Sequence, residues 1–554
     1  MRITRYPRTT ITAAAIMAGA LSLALAGCTS SNEPSPAPSL PAETIIQTPA
    51  ASGEVESIVW ALSAGEPLTL DPQSSADYSP KTVVSNLCES LMLINADGEV
   101  VPNLATSLTT PDPLSLVVSL RDDAVFWDGS PLTVDDVVYS LDRLIGPESV
   151  SAYAADFLSV ASVAATGQNE VTLSLSVPDP LLPAKLASTG AAISQAAFVE
   201  QAGASYGSPN VGLMCSGPYK FTSWTPGSNI VIERSGTWWN SGVQPKVQSI
   251  RFDFVGDNDT LSTALLAGEI DGAYDVPTGS IPSLAGSNRG TLYRGESTIS
   301  VLLGPTSPEG PGADPAFRAA LNLAIDKQAI SSLAAGGAGS PMASMISPFV
   351  WSGSPAEDVY DAGLAKLASG QDLEAAKAFL EKMKTPLDGP VRVAIIAGNQ
   401  LMERAMTLVQ ADAAKIGVDI DIEQLQPLVY TSIYTDPAVR EDYDLFASSG
   451  AFVEVPSPVY WASLFVSDWS PFNYAGYNDP AVTELMNAAA LEPDPIAQAE
   501  MYVKAQEIFA VNGPIIGLTT LDELLFMNNR ISGAPASSYY LNLPWAAYLG
   551  GTES

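Results

Sequence analysis

The 554-residue chain contains no histidine, and that absence removes a great deal of chemistry. A Ser-His-Asp or Cys-His arrangement has no base, and zinc loses its commonest nitrogen ligand. Cysteine is nearly as scarce: Cys28, Cys88 and Cys215 are the three present. None sits at metal-ligand or dithiol spacing. Basic residues are few as well, with Lys plus Arg at 25 against Asp plus Glu at 60, a formal net charge of −35. Such a surface repels phosphate backbones and anionic headgroups, which argues against nucleic acid and peripheral membrane partners. Neither a Walker A nor a dinucleotide fingerprint appears, so nucleotide phosphates have no cradle. Gly203 to Gly207 (GASYG) formally matches the G-x-S-x-G nucleophile elbow around Ser205. That motif needs a strand before it, a helix after it and a histidine elsewhere. No serine stands three residues before a lysine either, so a Ser-Lys variant lacks support, and a loop serine between glycines is the plainer reading. Asp253, Asp257 and Asp259 lack EF-hand spacing and its closing glutamate, which leaves a solvated loop. No catalytic residue, metal or cofactor is expected.

What is present is a large apolar complement. Hydrophobic residues are 46% and charged ones 15%, which excludes wholesale disorder, and the length implies two or more domains. Arg2, Arg5 and Arg8 precede a short apolar run, Ile11 to Leu25, that reads as a signal peptide h-region. No later run is long enough to span a bilayer. Leu25-Ala26-Gly27-Cys28 looks like a bacterial lipobox, which implies a signal peptide over 1–27 and a lipid on the thiol of Cys28. The alternative is an ordinary signal peptide with an incidental cysteine. Unpaired arginines point to general secretion. Residues 28–54 are rich in Ser, Pro, Ala and Thr and read as a flexible tether. Export permits a disulfide, and the even remainder makes Cys88 and Cys215 a possible pair, with two buried thiols as the alternative.

From Leu70 to Leu144 the pattern gives a turn, a helix, two hairpins and a second helix. Asp97-Gly98 and Asp128-Gly129 stand between alternating runs, where positive φ is wanted. Thr133 to Asp136 starts a helix as a capping box, with Val134, Val137, Val138, Leu141 and Leu144 on one face. Farther on come Cys215 to Phe221 (CSGPYKF), the pair Trp238-Trp239, and Gly268 to Pro277 (GEIDGAYDVP) after a helix capped at Asp259-Thr260. Arg318 to Lys327 (RAALNLAIDK) follows Asp314-Pro315, a good helix start. A strand at Val391 to Ile396, a helix at Leu401 to Ile416 and a strand at Val418 to Ile422 make a βαβ unit with parallel strands.

These segments, in this order, resemble the family 5 extracellular solute-binding proteins (the peptide/nickel class) of bacterial ABC importers. The resemblance runs from Val55 onward. It implies a two-lobed α/β fold of the periplasmic-binding-protein kind, in its large peptide-binding variant, with two crossings between lobes. Lobe I is expected over 55–300 with an inserted subdomain near 99–210. Lobe II is expected over 301–511, and the chain returns to lobe I over 512–554, with Pro514 to Leu518 recrossing.

Ligand is then expected in the cleft between lobes. By position, the resemblance places Ala76, Asp77 and Tyr78 alongside a bound peptide, with Tyr153, Tyr274 and Asp275 near it. Across the cleft, Gly450 to Pro458 (GAFVEVPSP) puts Gly450, Ala451 and Phe452 at backbone-pairing positions and Glu454 on the ligand's amino group. The departures are Glu454 for an aspartate, Ser457 for an acidic residue and Ala451 for a large aromatic; no counterpart for a carboxylate-binding basic residue is evident. The expected protein is a monomeric, membrane-tethered receptor that passes oligopeptides to ABC permease subunits. The alternatives are another solute (an opine, a chelated metal, a glycoside) or a surface hydrolase.

Overall fold

The structure is a computed structural model and describes residues 40–552 except 147, 148, 150, 368, 369 and 452. The expected signal peptide, Cys28 and Phe452 lie outside the described residues. Three larger sheets organise the chain. The first has seven strands, in the order Gly290–Gly295, Glu523–Asn528, Gly272–Ala273, Val55–Leu62, Val247–Phe254, Asn229–Arg234 and Tyr219–Thr225. Its centre, Val55–Leu62, runs parallel to both Val247–Phe254 and Gly272–Ala273; Glu56 and Ser57 at its start are exposed, and its second half, Ile58–Leu62, is a continuous apolar run where both faces are covered.

The second sheet has five strands, in the order Ile420–Leu425, Val391–Ile396, Leu445–Ala451, Ile299–Pro305 and Ile516–Thr520. Val391–Ile396 and Ile420–Leu425 are parallel and joined by the helix Gln400–Ala414, the βαβ unit read from the sequence. The third, an antiparallel four-stranded sheet of Ala105–Asp112, Ser115–Leu120, Glu170–Leu175 and Val160–Gly167, occupies the stretch expected to be inserted.

The chain passes from the first sheet to the second between Gly295 and Ile299, and back between Thr520 and Glu523. The second passage therefore comes later than the expected boundary at 512. Ile516–Thr520 still pairs with Ile299–Pro305, and an apolar run of that length fits a buried edge strand of either sheet equally well.

Local sequence accounts for many of the element ends. Thr133 and Asp136 make a full capping box on the helix Val134–Ile145, worth about 1 kcal/mol. Gly98 and Gly129 turn their hairpins with φ of 84°. Asp314 caps Pro315–Ala324 as read from the sequence. The helix expected to start at Asp259-Thr260 begins at Asn258 instead, because Asp257 accepts the Thr260 N–H at 2.8 Å. Cys88 and Cys215 are joined by a disulfide. Beside it Glu89 is enclosed by the indole N–H groups of Trp238 and Trp239, each 3.0 Å away, and by the Ser216 hydroxyl at 2.8 Å. Burial pushes the Glu89 carboxyl up to about 7 against those donors.

Candidate ligand-binding cleft

Both sheets point the carboxyl ends of parallel strands at one space. Ser63, Gly256 and Asp275 follow the three parallel strands of the first sheet; Ala397 and Pro427 follow the parallel pair of the second. All line a cavity of about 610 Å³. Open α/β sheets bind ligands at such ends, and the volume suits a drug-sized solute.

Asp77 and Tyr78 reach the cavity because Asp77 caps the helix Tyr78–Val84, its Oδ1 accepting the Tyr78 N–H at 2.8 Å. Asp275 reaches it with φ of 53°, a left-handed conformation that Asp tolerates better than most residues. Tyr540 donates its hydroxyl to Asp275 Oδ2 at 2.9 Å, and the Asp275 N–H donates to Glu523 Oε1 at 3.0 Å. Burial raises Asp275 to about 6; the Tyr540 hydroxyl opposes this and the Asp77 charge adds to it. Glu523, 1% exposed, is pushed well above the carboxylate range by burial and then by Asp275. Burial, followed by Asp275, Glu523, Asp77 and Glu454, likewise raises the Tyr78 phenol.

Glu454 has a partner that sequence reasoning missed. Lys81, one turn into the helix that Asp77 caps, forms an ion pair with it across the lobes. The Lys81 side chain is 2% exposed and that of Glu454 15%, so the expected free carboxylate is already neutralised. Nothing in the spacing of an apolar helix announces such a lysine. A second contact across the seam joins Tyr460 to Asp156. Burial lifts Asp156 to about 6, opposed by the Tyr460 hydroxyl and reinforced by Glu454. At the cavity's edge Arg404 donates to Thr278 Oγ1 at 3.1 Å.

The remaining expected residues divide. Ala76 is exposed next to Asp77. Tyr153 and Tyr274 are core residues and do not line the cavity. Tyr153 donates to the Ser75 carbonyl at 3.0 Å, while Tyr274 donates to the Pro535 carbonyl at 2.8 Å and stacks on Tyr540 at 3.6 Å. Gly450 and Ala451 pair with Ser300 and Ile299. On its other edge the strand Leu445–Ala451 pairs with Val391–Ile396 only at Leu445 and Phe446. Beyond Phe446 no further strand pairs with that edge among the described residues. Gly450 and Ser449 also wall an apolar pocket of about 200 Å³ with Tyr434, Phe446, Phe472 and Tyr474. Ser205 is exposed and follows the helix Ala196–Ala202 in a 3-10 turn, so the strand required by a nucleophile elbow is absent there.

A cavity at the seam of two sheet-based lobes joined by two short crossings is the architecture of a two-lobed α/β, periplasmic-binding-protein-like fold. Residues 99–471 match the bacterial extracellular solute-binding proteins, family 5 (middle region), and the chain belongs to that family of ABC-importer substrate-binding proteins. The glutathione-binding protein GsiB of Pectobacterium atrosepticum is 25% identical over 492 residues, covering 86% of this chain and 92% of the relative. The oligopeptide-binding protein OppA of Bacillus subtilis is 24% identical over 503 residues, covering 84% and 88%. In fold, the chain resembles the binding protein AgaA of A. tumefaciens R10 in complex with agropinic acid. There the TM-score is 0.76 at 23% identity, over 90% of this chain and 99% of that one. It also resembles DppA of Helicobacter pylori in complex with the peptide STSA, with a TM-score of 0.77 at 18% identity over 90% and 99%. Among the described residues no helix is long and apolar enough to cross a membrane.

Proposed function

We propose that the protein is exported, anchored by a lipid on Cys28, and captures an oligopeptide between its lobes for delivery to an ABC permease. The observation that carries the peptide reading is the half-open strand Leu445–Ala451, which borders the cleft through Ser449. An extended peptide can add to such an edge and be held through main-chain bonds that do not depend on its side chains. Asp77, Tyr78 and Asp275 face it from the other lobe. Closure of the lobes is a hinge motion about the two crossings. Glu454, held by Lys81, acts in this reading as a tie between lobes. That tie favours one alternative, a smaller non-peptide solute, as agropinic acid is for AgaA. Native mass spectrometry of protein purified without denaturation decides between them. A co-purified oligopeptide supports the proposal, and a co-purified non-peptide solute replaces it. Cleavage of an added peptide would overturn the receptor role altogether.

A further inference from the structure

We infer that the apolar pocket of about 200 Å³ beside Ser449 is a side-chain subsite of the cleft, taking one aromatic side chain of the bound peptide. This rests on the peptide reading above and deepens it by naming a side chain the preferred peptide carries. Ser449 borders both the main cavity and the pocket, so the two spaces meet at the edge strand Leu445–Ala451. The Ala447 carbonyl already accepts the Tyr430 hydroxyl at 2.6 Å. An added strand therefore meets this edge beyond Ala447, at Ser449. Side chains of such a strand alternate between the two faces of the sheet. The pocket lies on one of those faces, the one that carries Phe446, Ser448 and Gly450, whose cross-strand partners are Gly304, Leu302 and Ser300.

The shape follows from side-chain size. Gly304, Ser448 and Gly450 contribute little or no side chain, which leaves a hollow over the sheet, and aromatic rings wall it. Those rings hold one another in place: Phe446 meets Tyr434 edge-on at 5.7 Å and Tyr474 at 5.9 Å, and Tyr474 meets Phe472 at 6.4 Å. The Tyr474 hydroxyl is spent on the Tyr434 carbonyl at 3.1 Å. No charged residue lines the pocket among the described residues, so an ionic side chain entering it would lose water without gaining a partner. Phe472 is 36% exposed, an aromatic rim that a ligand would cover. An apolar cavity of about 150 Å³ takes a benzene ring, so the volume suits a phenyl group, and ring-on-ring contacts favour it over an aliphatic one. Main-chain pairing at the strand edge then holds any peptide, and the pocket ranks peptides by what they carry at one position.

The test uses the exported full chain and alanine tetra- and hexapeptides in which each position in turn carries Phe, Leu, Asp or Lys. Affinities are read by calorimetry for the wild type, Ser448→Leu and Phe472→Ala, and a thermal melt checks folding. Ser448→Leu fills the floor of the pocket, and Phe472→Ala removes its rim. The readout is the ratio of Phe-peptide to Ala-peptide affinity within each variant, which a general loss of binding does not move. The expected result is that Phe at one position binds about tenfold or more tightly than Ala there. Leu should fall between them, and Asp and Lys should gain nothing. The ratio should drop several-fold in Phe472→Ala and vanish in Ser448→Leu; if Ser448→Leu does not fold, Phe472→Ala decides. A gain spread equally over all positions, no gain at any, or a single-position gain that survives in the folded variants overturns the subsite and leaves the peptide receptor standing. Binding of no peptide in the series overturns both.

Discussion

Glu454→Gln keeps the shape of the side chain and removes the charge facing Lys81 across the seam. The consequences for the two partners are unequal, because the Lys81 side chain is 2% exposed and that of Glu454 15%. Losing the carboxylate strands an ammonium where water does not reach, and stranding one member of a buried pair costs roughly 3–5 kcal/mol. Lys81→Met instead fills the space with an apolar stem and leaves a carboxylate with some solvent contact. Its cost lies between the exposed and buried limits, at about 1–2 kcal/mol. The protein also has an exit other than unfolding, since parting the lobes rehydrates Lys81. Glu454→Gln should therefore lower the denaturation midpoint and enlarge the radius of gyration in small-angle X-ray scattering, both more than Lys81→Met does. The double variant should recover part of the loss, because neither charge is then stranded. Unchanged scattering and stability for Glu454→Gln, or a larger effect of Lys81→Met, would refute the reasoning.

The buried carboxyls set a pH dependence. Asp156 and Asp275 at about 6, Glu89 at about 7 and Glu523, well above the ordinary carboxylate range, are all raised chiefly by burial, so the folded chain holds more protons than the unfolded one from about pH 4 to pH 7. Stability should fall as pH rises through that window, with a higher melting temperature at about pH 5 than at about pH 7.5. Glu89→Gln should flatten part of the slope, and a melt that rises with pH would contradict it. The Cys88–Cys215 bridge spans a sequence separation of 127 residues, so replacing both cysteines by alanine should cost roughly 2–5 kcal/mol in chemical denaturation. Mass measurement after alkylation should show no free thiol at these positions before reduction. Cys28→Ser in cells should abolish fatty-acid labelling and release the protein from the membrane fraction.

Much of the frame is legible in the sequence because it depends on short-range chemistry. The Thr133 capping box, the turns at Gly98 and Gly129, and the βαβ unit from Val391 to Leu425 are decided within a few residues or one hydrophobic period. The features that specify the cleft are decided across it. Lys81 lies between Pro80 and Thr82 in a buried helix, and its partner is 373 residues away. Glu523 follows Asp522 at a point where one carboxylate finds an arginine and the other does not. Tyr153 and Tyr274 read as ligand-facing by position, yet their hydroxyls are spent on the Ser75 and Pro535 carbonyls. Pairing at such separations leaves no periodic trace, so composition and spacing cannot assign it.

Only three residues, 296–298, and two, 521 and 522, stand between the strands of one sheet and those of the other. Even these are stapled: the Thr298 N–H donates to Ser538 Oγ at 3.0 Å, and Asp522 grips Arg294. A joint with so little free chain has almost no slack, and any rotation of one half must be written into a handful of backbone torsions. The protein is thus suited to conversion into an optical sensor. Dyes placed on the outer faces of the two halves would move as rigid pointers, and each added residue in either joint should blunt the signal stepwise.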